Sequence, residues 1–207
     1  MRRLLNSGIP YVFIDRSFPD LEVSAAILDN SKATKMAVEH LLEQGYKKIS
    51  LVAYDSEMNN NKERIRGYEY TMEEAGLMEL INTHKVPFNH QKEFVCDVVK
   101  KLIAKNECEA IIFATNTLSI EGIHCLNSLN VKIPDDIAIV GFDGNDVFDL
   151  YSSPITYIEQ PVEELAVHAC NILMSEILKT NSGAQDKATL MMEPKLLTRK
   201  SSMKKTN

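Results

Sequence analysis

Hydrogen-bonding side chains follow each of four short apolar runs in this chain: Asp15-Arg16, Tyr54-Asp55-Ser56, Thr115-Asn116-Thr117 and Asp143-Gly144-Asn145. Gathered at one edge of a sheet, such groups would hold a polar small molecule. Asp, Asn, Ser and Thr serve equally well as helix N-caps, so each residue alone has two readings. Arg64 and Arg66 stand near the start of the helix expected after the second run. A planar donor fork there suits a carboxylate, vicinal hydroxyls or an acidic residue such as Asp143, although either arginine could instead be a surface charge. Phe88, just beyond Lys85–Pro87, could stack on a ligand ring or fill the core.

Other chemistries find no support. The cysteines (Cys96, Cys108, Cys125, Cys170) are at least twelve positions apart, so neither a CxxC redox pair nor a zinc knuckle can be written, and reduced, mostly buried thiols are expected. The five histidines lack HExxH spacing, which would set two ligands on one helical face, and no metal is assigned. GxGxxG, GxxxxGK[ST] and GxSxG are also missing, which leaves no sequence argument for a cofactor or a catalytic residue.

The elements that must carry these residues follow from hydrophobic spacing. Tyr11–Ile14, Ile49–Ala53, Ala110–Ala114 and Ile137–Phe142 are continuously apolar, as strands covered on both faces of a parallel sheet require. Helical spacing intervenes over residues 31–44, 62–75, 91–105 and 118–129. Gly45, Gly76 and Asn130 stand where left-handed residues would end three of these helices. Pro161 suits the first turn of a further helix, and residues 181–186 read as a surface loop. Residues 189–192 and 196–199 read as short strands split by Pro194, and residues 201–207 as a solvated tail. Alternating strands and helices predict a doubly wound α/β fold.

Composition narrows the partners. Of 207 residues, 44% are hydrophobic and 25% charged, and 23 basic against 29 acidic side chains leave a formal charge of −6. That balance does not favour direct binding to a phosphate backbone. No apolar stretch approaches the ~20 residues of a membrane span, and no secretory signal is read at the N-terminus.

Six collinear segments resemble the lactose-repressor/galactose-repressor family of transcription regulators. They are Gly8–Arg16, Asp29-Asn30 with Glu39–Ile49, Arg64–Tyr68, Ile133–Asp143, Pro154–Pro161 and Pro194–Ser201. The resemblance implies an effector-binding domain of the type I periplasmic-binding-protein kind, in which two α/β subdomains flank a small-molecule cleft. Its N-terminal subdomain would be truncated here: residues 1–46 with 159–187 form what is left of it, and 47–158 with 188–200 form the C-terminal subdomain. The resemblance also implies a cytoplasmic homodimer that reaches operator DNA only through an N-terminal helix-turn-helix absent from this chain. The effector would be a polar molecule such as a sugar, with no cofactor, no catalysis and no membrane. A periplasmic sugar-binding protein of an uptake transporter is the alternative.

Carried over residue by residue, the resemblance makes Arg64 the effector-gripping arginine and Asp143 its carboxylate partner. Asn60 and Asn116 become hydrogen-bonding positions, Phe88 the packing aromatic, and Gln160 a residue bordering the cleft. Thr117 departs from the acidic residue often found there. Arg64→Ala is expected to weaken effector binding while leaving folding largely intact. Protease is expected to trim residues 1 to about 45 first.

Overall fold

The computed structural model describes residues 7–16, 18, 21–89, 91–105, 107–144, 146–179 and 187–204. The expected loop at 181–186 and the last three residues of the expected tail lie outside the described residues. The chain divides into two compact units, residues 1–29 with 161–193 and residues 30–160 with 194–207.

The first unit holds a parallel three-stranded sheet, in the order β1 (Phe13–Ile14), β2 (Ala25–Leu28), β8 (Thr189–Met192), and the helix α5 (Val162–Lys179). Ala26, Leu165 and Ala169 form its buried cluster, with Val12 and Met192 packed against them. Small residues at 26 and 169 let the helix lie close to the sheet. Glu176, buried in this unit, accepts from the Ser24 hydroxyl at 2.5 Å and from Lys187 Nζ at 2.8 Å, so its charge is compensated. Strand β2 was not anticipated from the sequence. Two of its four residues are alanine, which carries little strand preference, yet all four are buried.

The second unit is built on a six-stranded sheet. Its order is β4 (Asn82–Val86), β3 (Ile49–Tyr54), β5 (Ala110–Phe113), β6 (Ala138–Phe142), β7 (Thr156–Glu159), β9 (Lys195–Leu197), and only β9 runs antiparallel to its neighbour. Four helices cover it: α1 (Asn30–Glu43), α2 (Asn59–Glu74), α3 (Gln91–Ala104) and α4 (Asn116–Ser128). Strands β3, β5 and β6 are buried at every position, as their unbroken apolarity predicts. Gly45, Gly76 and Asn130 all have positive φ, ending helices where the sequence places them.

Two glycines set how closely the helices lie. A Cβ at Gly67 would stand 2.2 Å from the Ser31 carbonyl oxygen, so α2 can cross α1 only without a side chain there. A Cβ at Gly122 would stand 2.0 Å from Phe113 Cζ, so α4 rests directly on the ring of a β5 residue.

The division falls at residues 29/30 and 160/161, with α1 in the unit that contains α2; Thr189–Met192 pairs with β2, and Lys195–Leu197 joins the larger sheet. Two expectations are corrected. The start of the expected solvated tail is buried, because Ser201 and Ser202 supply hydroxyls to groups inside the second unit. Ser201 Oγ donates to the Ile139 carbonyl at 2.7 Å and accepts from Thr156 N, and Ser202 Oγ lies 2.6 Å from Thr156 Oγ1 and 2.7 Å from His40 Nε2. The second correction concerns sulfur: Cys96 and Cys125 are disulfide-bonded, brought together by the packing of α3 on α4 across 29 positions of sequence. Cys108 is a buried thiol and Cys170 an exposed one.

Candidate functional site

The expected site residues all belong to the second unit, and four of them converge at the carboxyl edge of its sheet. Arg64 lies in the second turn of α2, on the face that continues through Gly67 and Thr71. It is 4% exposed. Its Nε donates to Asn30 Oδ1 at 2.8 Å and its Nη1 to the Ala114 carbonyl at 2.6 Å, while the guanidinium carbon lies 3.7 Å from the centroid of the Phe142 ring. A planar cation over an aromatic face and two directed hydrogen bonds leave the fork little rotational freedom. Arg66, two residues on, faces solvent and pairs with Glu63 at 2.7 Å. The two arginines that spacing left equivalent are thereby distinguished.

Ala114 follows the last residue of β5, and the chain then turns into α4 through Thr115. That residue is the N-cap, its hydroxyl accepting from Leu118 N at 3.3 Å. Capping therefore falls to Thr115, which leaves Asn116 for another role: its Nδ2 donates to the Asp143 carbonyl at 2.7 Å. Ser119 closes the same corner by donating to the Thr115 carbonyl at 2.8 Å and accepting from Phe142 N at 3.2 Å, which fixes the ring that Arg64 covers.

Asp143 follows Phe142 with φ at +53°, a left-handed conformation that Asp tolerates better than most residues. Its N–H donates to the Ile158 carbonyl at 2.8 Å, and its Oδ1 accepts from Gln160 Nε2 at 2.7 Å. Arg64, Asn116, Asp143 and Gln160 thus form one chain of contacts, joined through Ala114 and Phe142 at the tips of β5, β6 and β7.

Asn60 lies one turn before Arg64 on α2, half-buried, its Oδ1 accepting from Asn61 N at 2.9 Å. Phe88 is 71% exposed, which removes the core reading, and its ring lies 5.2 Å from that of Tyr54. Tyr54 is among the residues noted after the second apolar run; Asn30, Gln91 and Phe142 are not read from spacing as site residues. The Tyr54 hydroxyl donates to Gln91 Oε1 at the start of α3. Burial pushes this phenol above its usual range, and the hydroxyls of Thr115 and Thr117 beside it oppose the shift. Thr117, where an acidic residue was expected from the resemblance, therefore serves the Tyr54 corner of the site.

This arrangement offers a fixed cation, a carboxylate, two amides and an exposed ring face, the donor and acceptor set for a polyhydroxylated or otherwise polar guest. Among the described residues no cluster of His, Cys, Asp and Glu could hold a metal ion, and no helix is long and apolar enough to cross a membrane.

The chain is 28% identical over 94% of its length to the HTH-type transcriptional repressor PurR of Photobacterium profundum. It is 26% identical over 99% of its length to the probable HTH-type transcriptional regulator EndR of Paenibacillus polymyxa. It spans 58% and 60% of those two proteins. Among solved structures, a LacI family transcriptional regulator from Enterococcus faecalis V583 with bound ribose superposes with a TM-score of 0.82 at 21% identity, over 97% of this chain and 71% of that one. The regulator CelR in complex with cellobiose superposes with a TM-score of 0.78 at 23% identity, over 94% of this chain and 59% of that one. Residues 38–202 match the periplasmic binding protein-like domain, and the chain belongs to that family.

Proposed function

We propose that this chain is the effector-sensing portion of a DNA-binding transcriptional regulator and that it binds a small polar ligand, a sugar or similar metabolite, at the carboxyl edge of the six-stranded sheet. One observation carries the reading: Arg64, Asn116, Asp143 and Gln160 form a connected polar edge, with the exposed Phe88 ring on the same side of the sheet. The regulators named PurR and EndR support the regulatory half of the proposal, and the ribose and cellobiose complexes of fold relatives support the ligand class.

No proton transfer or bond cleavage is assigned to these residues. Arg64 and Asp143 orient hydroxyl groups of the guest, Asn116, Asn60 and Gln160 complete its hydrogen bonds, and Phe88 covers an apolar ring face. The bound ligand stabilises whichever state of the protein it contacts better, and that difference is what reaches DNA. A coupling of about 1–3 kcal/mol would change operator affinity about 5- to 150-fold. In this reading the intact regulator is a cytoplasmic homodimer, and its helix-turn-helix contacts the operator.

A thermal-shift screen of neutral mono- and disaccharides, ribose and cellobiose included, followed by calorimetric titration of any hit, tests the assignment. The expected result is saturable binding that Asp143→Asn and Asn116→Ala each weaken. A hit whose affinity neither substitution changes would place the ligand elsewhere.

A further inference from the structure

We propose that Cys96 and Cys125 form a redox-modification site that sets the order of the sheet edge carrying the polar residues. The argument rests on where the bond lies. Cys96 is on α3 and Cys125 on α4, and both helices begin at that edge. The first residue of α3, Gln91, accepts from the Tyr54 hydroxyl, whose ring packs against Phe88. The first residue of α4, Asn116, donates to the Asp143 carbonyl. The disulfide therefore ties together two helices whose first residues both hold groups of the site. It lies roughly one and a half turns below Gln91 and two and a half below Asn116.

Apart from this bond, the helices are held by side-chain packing around Val95, Val99, Leu102, Leu118 and Leu126. That packing survives reduction, so the reduced unit stays folded while α3 and α4 gain freedom to shift relative to each other. The sulfurs are also placed for exchange. Cys125 is 5% exposed and Cys96 only partly buried, so reagents arriving from solvent meet Cys96 first. The other cysteine of this unit does not compete. Cys108 is buried with its Sγ donating to the Ala110 carbonyl at 3.1 Å, and burial pushes its thiol up to about 11.

The chemistry balances with a hydroperoxide as oxidant. The Cys96 thiolate attacks the O–O bond and takes one oxygen as a sulfenic acid; the other oxygen leaves and, with a proton, becomes water or an alcohol. The Cys125 thiolate then attacks the Cys96 sulfur, the S–S bond forms, and the sulfenic oxygen departs as water. Reduction runs through attack of an external dithiol on Cys96 and release of the Cys125 thiol, and the reagent closes to its own cyclic disulfide.

The bearing of this switch on ligand affinity rests on the function proposed above. The experiment is therefore run without ligand, so that failure of the one does not imply failure of the other. In a Cys170→Ser background, protein is treated with hydrogen peroxide or dithiothreitol, alkylated, digested and mapped by mass spectrometry, and amide hydrogen exchange is measured on both forms. Peroxide should yield the Cys96–Cys125 peptide and leave Cys108 alkylatable only after unfolding. Reduction should speed exchange several-fold within residues 91–96 and 116–125, leave β5 and β6 protected, and be reproduced by the Cys96→Ala/Cys125→Ala variant in either reagent. Two results would overturn the proposal: both cysteines still alkylatable after peroxide, or a bond that forms while exchange at 91–96 and 116–125 matches that of the double alanine variant.

Discussion

Arg64 and Phe88 sit at the same sheet edge but have opposite burial, and substitution separates their roles. Arg64 is 4% exposed and satisfies both Asn30 and the Ala114 carbonyl. Arg64→Ala is therefore expected to lose ligand binding and also about 1–3 kcal/mol of stability, read by urea unfolding, since removing a buried donor strands its acceptors. That differs from the expectation, formed on sequence, that folding would be largely intact. Phe88→Ala removes an exposed ring and is expected to leave the unfolding midpoint in place. It should weaken binding of the sugar identified by the screen about 2- to 12-fold, the ratio that matches an aromatic contact of about 0.5–1.5 kcal/mol. A stable Arg64→Ala or an unstable Phe88→Ala would reverse the assignment of roles. The difference between Arg64 and Arg66 was legible in principle: residues 64, 67 and 71 share the face that meets α1, whereas 66 points some 200° away around the helix. Asn30 was not legible as the partner of Arg64, because it starts a helix after a strand that sequence reading had not recognised.

At the scale of elements, the two helix contacts made through glycine give a second prediction. Gly67→Ala would set a methyl 2.2 Å from the Ser31 carbonyl oxygen, a backbone atom that moves only if α1 moves. Gly122→Ala would set one 2.0 Å from the Phe113 ring, itself wholly buried between α4 and the sheet. Each is expected to cost about 1–3 kcal/mol by overpacking, measured by urea unfolding, and an unchanged midpoint would mean the helices have room to separate. Most elements could be read from the sequence because parallel strands are apolar throughout and helices here end at Gly45, Gly76 and Asn130. The elements that could not be read are those whose local signal is weak: the four-residue β2, half alanine, the largely polar edge strand β4, and the turn at 200–202, which is polar in sequence and buried at Ser201 and Ser202 only because their hydroxyls meet specific partners. The Cys96–Cys125 bond belongs with them, since it depends on the packing of α3 on α4 and not on spacing.

At the scale of the whole molecule, the second unit is closed by residues 195–202, and the closure is expected to be sensitive to acid. His40 of α1 meets Ser202 at 2.7 Å, Ser202 meets Thr156 of β7, and Ser201 bonds to Ile139 of β6, so residues 162 apart are held together through polar groups out of contact with water. Burial holds His40 below the usual imidazole pKa of 6.5, and the nearby Glu43 opposes this only in part. Burial also lowers His84, helped by Lys101 and Lys105, and its Nε2 is buried without a hydrogen-bond partner. Both imidazoles are lower in the folded state than in the unfolded chain. Their neutral forms therefore favour folding above about pH 6.5, and that stability is lost progressively as the pH falls below it, because the unfolded chain takes up the protons first. The urea midpoint is expected to fall between pH 7.5 and pH 5.5, and His40→Gln, which keeps a polar partner for Ser202 but cannot titrate, should flatten part of that slope. Ser201→Val should lower the stability at every pH by about 1–3 kcal/mol, read by urea unfolding, since it strands the Ile139 carbonyl and Thr156 N–H without altering a titrating group. A His40→Gln variant that keeps the full wild-type slope would assign the acid sensitivity to His84 or to carboxylates, and would remove this closure from the account of how this unit responds to pH.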